Sequence, residues 1–406
     1  MNEPLDIAPH GVSRNVWITA LTSFLTDVSS EMIFNLIPLF LANVLGASTA
    51  IIGLIDGLAE TTSSLLKGVS GWLSDRLRQR KRLAVVGYAI SAIAKPFLYV
   101  TSTWGGVLAV RFADRVGKGI RTSPRDALIA DSTDERHRGV AFGLHRAGDT
   151  AGAVVGLSVA LTVVLATQAQ ALSLDRITFQ TLVLLSIVPG ALAVVALALG
   201  AKEVPHKTSV TVFSNLTLFG PNKEFKFFLA VVALFTLGNS SDSFLILRAQ
   251  ERGLNIAGIL AMLITFNLIY ALFSSPLGAL SDRLGRRRVI LGGWLLYSLV
   301  YLGFALAANV AQVWIVYALY GLYYAAFEGA AKALVADLVP IEQRGTAYGF
   351  YNATVGLVAL PASLLAGVLW QGIGDWPGFG PSAPFFAGAA LAFIAGALVA
   401  LRWKGH

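Results

Sequence analysis

Cysteine is absent from the 406 residues, which excludes disulfides, thiolate nucleophiles and cysteine-ligated metal. The five His are scattered without the spacing of a metal-binding set, so no metal and no other cofactor is expected. Charge is scarce as well. Only 13% of the residues are Asp, Glu, Lys or Arg, against 55% hydrophobic, whereas a soluble domain carries roughly 25% charged residues. A soluble enzyme is excluded. Polar stretches are nearly missing too: residues 201–223, with Lys202, Glu203, Pro205, His206, Lys207 and Pro221, form the only long one. That is too short for a catalytic or signalling domain. A phosphate loop is also lacking, because Gly117-Lys118-Gly119 has neither the upstream Gly nor the following Ser or Thr.

What is present is apolar length. The mean hydropathy is +0.68, and the apolar residues fall in blocks longer than about 18, enough to cross a hydrocarbon core of about 30 Å as helices. Spans are expected near residues 16–44, 48–75, 83–102, 105–130, 138–167, 177–200, 224–250, 255–281, 288–309, 311–337, 344–372 and 381–403. The net charge of +8 argues for topology, not nucleic acid, because the excess sits in short turns. One turn holds Arg76, Arg78, Arg80, Lys81 and Arg82, and another Arg283, Arg286, Arg287 and Arg288, while Gly46-Ala47-Ser48 and Thr101-Ser102-Thr103 carry none. By the positive-inside rule both termini face the cytoplasm and the chain sits in the cytoplasmic (inner) membrane. Residues 1–15, with Glu3 and Asp6, show no cleavable signal pattern, so the first block is expected to stay as a membrane helix.

The chain repeats itself. Residues 71–77 (GWLSDRL) return as 278–284 (GALSDRL), displaced by 207, and Asp131, Arg138, Gly139, Ala141 and Gly143 return as Asp337, Arg344, Gly345, Ala347 and Gly349, displaced by 206. A shorter match sets Ser29-Ser30-Glu31 against Ser240-Ser241-Asp242, displaced by 211. The expected fold is therefore an all-α membrane protein of twelve transmembrane helices in two pseudo-twofold-related halves, residues 1–200 and 224–406, joined by a cytoplasmic linker at 201–223. Parallel repeats of this kind place a site at the midplane between the halves.

Residues 278–287 carry the complete pattern Gly-x-Leu-Ser-Asp-Arg-x-Gly-Arg-Arg, and the first copy departs from it with Arg78 and Gln79. On these residues, over essentially its full length, the chain resembles the major facilitator superfamily. Arg111-Phe112-Ala113-Asp114 resembles the start of that family's fourth-helix motif, with Asp114 for Gln and Arg115 for Gly. Gly148, Gly152 and Gly156 resemble its antiporter glycine motif without the Pro. The resemblance implies a cytoplasmic gate at Gly71, Asp75, Arg76, Gly278, Asp282 and Arg283. Arg80, Lys81, Arg82 and Arg286 to Arg288 read as topology anchors.

The fourth span carries Arg111, Asp114, Arg115, Lys118, Arg121, Arg125 and Asp126. At about 100° per residue they fall within one arc of about 140°, and each charge left at a bilayer centre costs about 2.5–3.5 kcal/mol. The stripe must face inward, with Pro124 positioned to bend its last turn. Its partners are Asp27, Glu31 and Asn35 in the first span, Asp56, Glu60 and Lys67 in the second, and His145, Arg146 and Asp149 in the fifth. The second half offers Asp242, Arg248, Asn267, Glu328 and Lys332. Proton coupling is assigned to Asp27, Glu31, Asp56, Glu60 and Arg111, with Asp27 or Glu31 against Arg111 as the preferred pair; the resemblance places the family's first-helix acid and fourth-helix Arg at these positions. The competing reading is that these pairs only hold helices together. Trp314, Tyr317, Tyr320, Tyr323 and Tyr324 either line the cavity or pack.

The function expected is proton-coupled secondary transport of a small organic solute, with efflux preferred and import of an organic anion as the alternative. A non-transporting membrane sensor or enzyme is the remote third reading. The expected partners are the solute, protons and the lipid bilayer, with no nucleic acid, and the chain is expected to act as a monomer.

Overall fold

The computed structural model describes residues 13–134, 137–204, 223–340 and 344–402. Twelve helical spans account for nearly all of them: α1 (Arg14–Val44), α2 (Thr49–Leu77), α3 (Arg80–Ala94, continued by a 3₁₀ segment Lys95–Tyr99), α4 (Trp104–Asp131), α5 (Arg138–Gln168), α6 (Arg176–Gly200), α7 (Lys223–Glu251), α8 (Ile256–Leu284), α9 (Arg286–Leu306), α10 (Val310–Asp337), α11 (Arg344–Gln371) and α12 (Ala383–Arg402). Among the described residues the β content is one isolated bridge, Ile373 to Trp376. Among the described residues nine spans are long and apolar enough to cross a membrane; α2, α3 and α4 are not among them, and α2 and α4 carry most of the charges that face inward. Ile177, Leu199, Leu272 and Leu299 are more than half exposed, the apolar exterior that a lipid-facing surface requires. The chain is a multi-pass membrane protein.

Local chemistry starts five of the six even-numbered helices. Ser48, Thr103, Asp175, Asn255 and Asn309 each accept a hydrogen bond from the backbone N–H three residues on, at the starts of α2, α4, α6, α8 and α10. Such caps occupy donors a helix leaves free at its N-terminus. The α2–α3 and α8–α9 turns use left-handed backbone at matching positions, Arg78 (φ 54°) and Gly285 (φ 89°), 207 residues apart. The first turn thus also enters positive φ although it lacks the glycine, at a backbone cost of about 1 kcal/mol, while the two turns differ in shape, with ψ 35° at Arg78 and 133° at Gly285.

The halves correspond element by element. α1 and α7 both end, and α2 and α8 both begin and end, 207 residues apart, while α4 and α10 begin and end 206 apart. The match of Ser29-Ser30-Glu31 to Ser240-Ser241-Asp242 at 211 is therefore one helical turn out of register, which keeps its residues on a similar face without making them equivalent. Within the first half α1 packs on α5 and α6, and α4 on α2 and α3. Within the second half α10 packs on α8 and α9, and α7 on α11 and α12. Between halves, α2 packs on α11 and α5 on α8. Most of the linker, residues 205–222, lies outside the described residues.

Small residues allow the α2–α11 seam to close. Gly53 faces the backbone of Ser363, Gly57 that of Leu360, Gly367 those of Thr49 and Ala50, and Gly356 faces Ser64. This zipper runs from the start of α2 to its middle. Polar bonds seal the same end: Thr49 N–H donates to Gln371 Oε1 (2.9 Å) and Thr49 Oγ1 to the Gly367 carbonyl (2.9 Å). Asn43 and Gln250 exchange reciprocal amide hydrogen bonds of 3.2 and 2.7 Å. Towards the arginine-rich end, Gly68, Gly139 and Gly143 face open space. The molecule is closed at one end and splayed at the other.

Each half also carries a clasp at the arginine-rich end. Arg80 Nε lies 3.0 Å from Asp131 and Arg80 Nη2 lies 3.3 Å from Asp75. In the second half Arg286 pairs with Asp337 and donates to the Ala333 carbonyl. Both Arg80 and Asp131 recur at a displacement of 206. Arg80 and Arg286 are thus bonded structural residues, beyond the anchoring role expected of them. The Asp75–Arg76 pairing is not made, because Arg76 lies over the Trp72 ring (5.4 Å) and Arg80 reaches Asp75 from the next helix. Gly71 sits against Ser123 of α4, Arg283 is exposed, and the side chain of Asp282 lies outside what is described.

Candidate functional site

Two broken helices face each other at the centre. Regular α-helix in α1 stops at Glu31, Ile33 has φ −117°, and a 3₁₀ turn Phe34–Leu36 follows. In α7 the helix stops at Gly238 and restarts at Ser243. Glu31 and Gly238 are 207 residues apart, so the interruptions are symmetric. Non-helical backbone at membrane depth is tolerated where it lines a cavity. A cavity of about 670 Å³ lies there.

Its walls carry nearly every residue singled out from the sequence. Asp27, Glu31, Asn35, Asp56, Glu60, Lys67, Arg111, Asp114, Arg115, Lys118, Arg121, Arg125, Arg146, Asp149, Asp242 and Asn267 all line it. Along α4 the lining runs from Arg111 to Arg125, about 21 Å at 1.5 Å per residue. Seven lining residues are acidic and seven basic; Asp126 is not among them and binds its neighbour Arg125 at 2.7 Å.

The central ion pair differs from the one expected. Arg111 Nη2 lies 3.1 Å from Asp56 Oδ1, and among the described residues neither Asp27 nor Glu31 has a cation within ion-pair distance. The cause is Phe34, which the break in α1 puts beneath the Arg111 guanidinium, 4.6 Å from ring centre; the guanidinium passes over the ring to α2. Glu31 instead accepts from Asn35 (2.6 Å). The other Asp56 oxygen accepts from Ser241 Oγ (2.9 Å) and from Ser243 Oγ. Asp56 therefore joins Arg111 of its own half to the break in α7 of the other.

Four residues expected at the site stand outside the wall. His145 is buried, bonded to Ser23 Oγ (2.9 Å) and 3.5 Å from Asp149. Glu328 accepts from Tyr270 OH (2.7 Å) and pairs with Arg146 (3.1 Å) and Lys332 (2.9 Å), a second tie between halves at the rim. Lys332 reaches the site only through Glu328. Arg248 is wholly buried and donates to the Phe304 and Ala305 carbonyls and Ser382, a structural tie from α7 to α9. Tyr317, Tyr320 and Tyr323 pack among aromatics of the second half. Tyr320 holds Asp242 at 2.7 Å, and Tyr324 alone of the five aromatics lines the cavity.

Sequence reasoning missed Lys95. Its ammonium is buried and donates to Ser29 Oγ (2.9 Å) and Ser30 Oγ (2.8 Å), fixing α3 to α1 beside the site. A lone Lys followed by Pro96 in an apolar span was the available signal. Among the described residues no cluster of acidic and His side chains is placed to hold a metal ion.

A central cavity between pseudo-symmetric six-helix halves, flanked by broken first and seventh helices, is the architecture of a membrane transporter. The family model for the Major Facilitator Superfamily matches residues 19–266 and 227–405, and the chain belongs to that family. It is thus a secondary transporter moving a small solute by alternating access, not an enzyme. It is 39% identical over 394 residues to an uncharacterized MFS-type transporter of Methanocaldococcus jannaschii, covering 96% of this chain and 94% of that one. An uncharacterized protein of Mycobacterium tuberculosis is 27% identical over 367 residues, covering 88% and 87%. Among solved structures, the nucleoside transporter NupG superposes with a TM-score of 0.75 at 14% identity, covering 97% of this chain and 100% of that chain. A D-xylose-proton symporter superposes with a TM-score of 0.76 at 14% identity, covering 96% and 97%. Those two share the fold.

Proposed function

We propose that this protein imports a charged, hydrophilic solute together with protons, and that Asp56 and Arg111 form its coupling pair. The bridging position of Asp56 carries the reading. Ionised, its carboxylate holds Arg111 and accepts from both α7 hydroxyls; protonated, it loses the ion pair and frees Arg111. Opening the sealed end separates α2 from Ser241 and Ser243, so the bonding of Asp56 differs between the two access states. A group bound differently in two states links its occupancy to their equilibrium. Asp27, Glu31 and Glu60, without such a bridge, are proposed as secondary proton acceptors.

The wall chemistry favours uptake over the efflux expected first. Among the residues lining the cavity only Phe34, Ala153, Ile246, Val355 and Ala359 are fully apolar, a poor surface for a lipophilic drug and a good one for a solute that cannot cross lipid unaided. Partial sequence matches include a probable L-galactonate transporter of Escherichia coli, 31% identical over 152 residues, and a multidrug resistance protein of Bacillus subtilis, 33% identical over 129.

With the arginine-rich turns in the cytoplasm, the sealed end faces outward and the cavity opens inward. Residues 1–200 and 224–406 then rock about the α2–α11 and α5–α8 seams, joined by the segment 201–223 and working within one monomer of the cytoplasmic membrane. Proteoliposomes test direction and coupling together. Solute accumulation driven by an acidic exterior and abolished by a protonophore is expected. Accumulation only against an acidic interior assigns efflux, and transport without proton movement removes the coupling.

A further inference from the structure

The two walls of the cavity differ in kind. On the first-half wall, Lys67, Arg115 and Lys118 converge. Arg115 and Lys118 are one turn apart on α4, and α2 is pinned to α4 beside them by Ser123 Oγ donating to the Lys67 carbonyl (2.7 Å) and Ser70 Oγ to the Gly119 carbonyl (2.8 Å). Lys118 has Arg115, Lys67 and Arg121 among its cationic neighbours, with Glu60, Glu31 and Asp27 as the carboxylates near it. None of the four cations has a carboxylate within ion-pair distance among the described residues. Donors are left over as well: Arg111 Nε and Nη1, Arg115 Nε, and Arg121 Nε and Nη1 are buried without a hydrogen-bond partner, on side chains of which Arg111 and Arg121 are 6% and 8% exposed. Buried guanidinium N–H groups are costly to leave unbonded, and clustered like charges repel. An incoming anion relieves both.

On the second-half wall, Asp242 is the only charged residue lining the cavity among the described residues, and Tyr320 OH donates to its Oδ1. Its other polar groups are hydroxyls and carboxamides, beside the apolar Ile246, Val355 and Ala359. Ser240 Oγ is buried without a partner, and Asn267 uses one N–H on the Leu263 carbonyl, which leaves its oxygen and second N–H for a ligand. Asn239, next to Ser240, completes a neutral wall that donates and accepts hydrogen bonds.

Building on the import reading above, we propose that the transported solute is an organic anion with a hydroxylated body. Its carboxylate or phosphate is held by Lys67, Arg115 and Lys118, and its hydroxyls face Asn239, Ser240 and Asn267. The division of labour makes two demands on the solute: charge for the first wall, hydroxyls for the second. A neutral sugar leaves the cations unanswered, and an alkyl carboxylate leaves the amide wall unbonded.

Equilibrium binding to the purified full-length protein tests this without a proton gradient. The probes are aldonates and sugar phosphates, set against neutral sugars and alkyl carboxylates of matching size. Saturable binding confined to the hydroxylated anions is expected, and whether carboxylates or phosphates bind tighter identifies the head group. Arg115→Gln and Lys118→Gln should each weaken it roughly ten- to hundredfold, with Lys118→Arg retaining most of it. Asn267→Ala should narrow the margin between aldonates and alkyl carboxylates. Equal binding of neutral sugars or alkyl carboxylates, no binding by any hydroxylated anion, or undiminished affinity in a folded Lys118→Gln overturns the proposal. A solute that binds as stated but moves without protons removes the coupling and leaves this inference standing; proton flux driven by a neutral sugar alone does the reverse.

Discussion

Asn43 and Gln250, 207 residues apart and at equivalent positions in the two halves, exchange a reciprocal pair of amide hydrogen bonds across the sealed end. Asn43 Oδ1 also accepts from the Leu174 backbone (3.0 Å), and Gln250 donates to the Leu172 carbonyl (2.7 Å). The contact exists only while that end is shut. Replacing both amides by carboxylates, Asn43→Asp with Gln250→Glu, sets two like charges against each other there. The double variant should favour the state open at that end. Because the chain has no cysteine, a Ser240→Cys reporter has no background, and its labelling by an impermeant thiol reagent from that side should rise several-fold. Unchanged labelling would show that the amide pair does not govern access.

Asp56→Asn should abolish proton-driven accumulation while leaving solute exchange between two equally loaded compartments. Removing one partner of a buried pair costs about 3–5 kcal/mol when the other stays charged, so the variant should also melt earlier. Adding Arg111→Gln should recover much of that stability and none of the accumulation. If Asp56→Asn still concentrates solute, the coupling residue lies elsewhere, with Asp27 and Glu31 the next to test.

Two glycine substitutions should separate access from folding. Gly53→Val forces a side chain into the Ser363 backbone, a contact between halves, so the sealed end should fail to close while each half folds. Gly152→Val meets the Phe24 backbone inside the first half, where α5 crosses α1, and should lower expression and melting temperature. This packing accounts for the Gly148, Gly152 and Gly156 spacing without reference to transport direction. Melting temperature and accessibility, measured on both variants, distinguish the two effects.

A double-mutant cycle on Arg80 and Asp131 should give a coupling energy of about 1 kcal/mol or somewhat more, since Arg80 is buried and Asp131 partly so. Arg80 with Asp337 should show none. A coupling near zero in the first cycle would mean that the clasp adds nothing to stability.

Nine of the twelve spans were legible because lipid demands long apolar blocks, while α2 and α4 are interrupted by the charges that turn inward. The inward stripe of α4 was legible because charge has nowhere else to go in a bilayer. Partner choice was not. Angular position places Asp27, Glu31 and Asp56 all within reach of Arg111, and the selection of Asp56 depends on where Phe34 falls after the irregular turn in α1, which no periodicity encodes. Arg80 and Arg286 were read as loop charges because their acids, Asp131 and Asp337, arrive from helix ends some fifty residues on. Lys95 was missed because a single cation in an apolar run leaves no pattern.

The clasps at Arg80 and Arg286 each bind the start of one helix to the end of the next within a single half. Neither joins the two halves, so neither has to be undone when the membrane face in contact with the cavity changes. Each bundle can therefore tilt as one stiff lever, and the work of the stroke falls on the few bonds of the seams: Asn43 with Gln250, Thr49 with Gln371, Asp56 with the α7 serines, and Arg146 with Glu328.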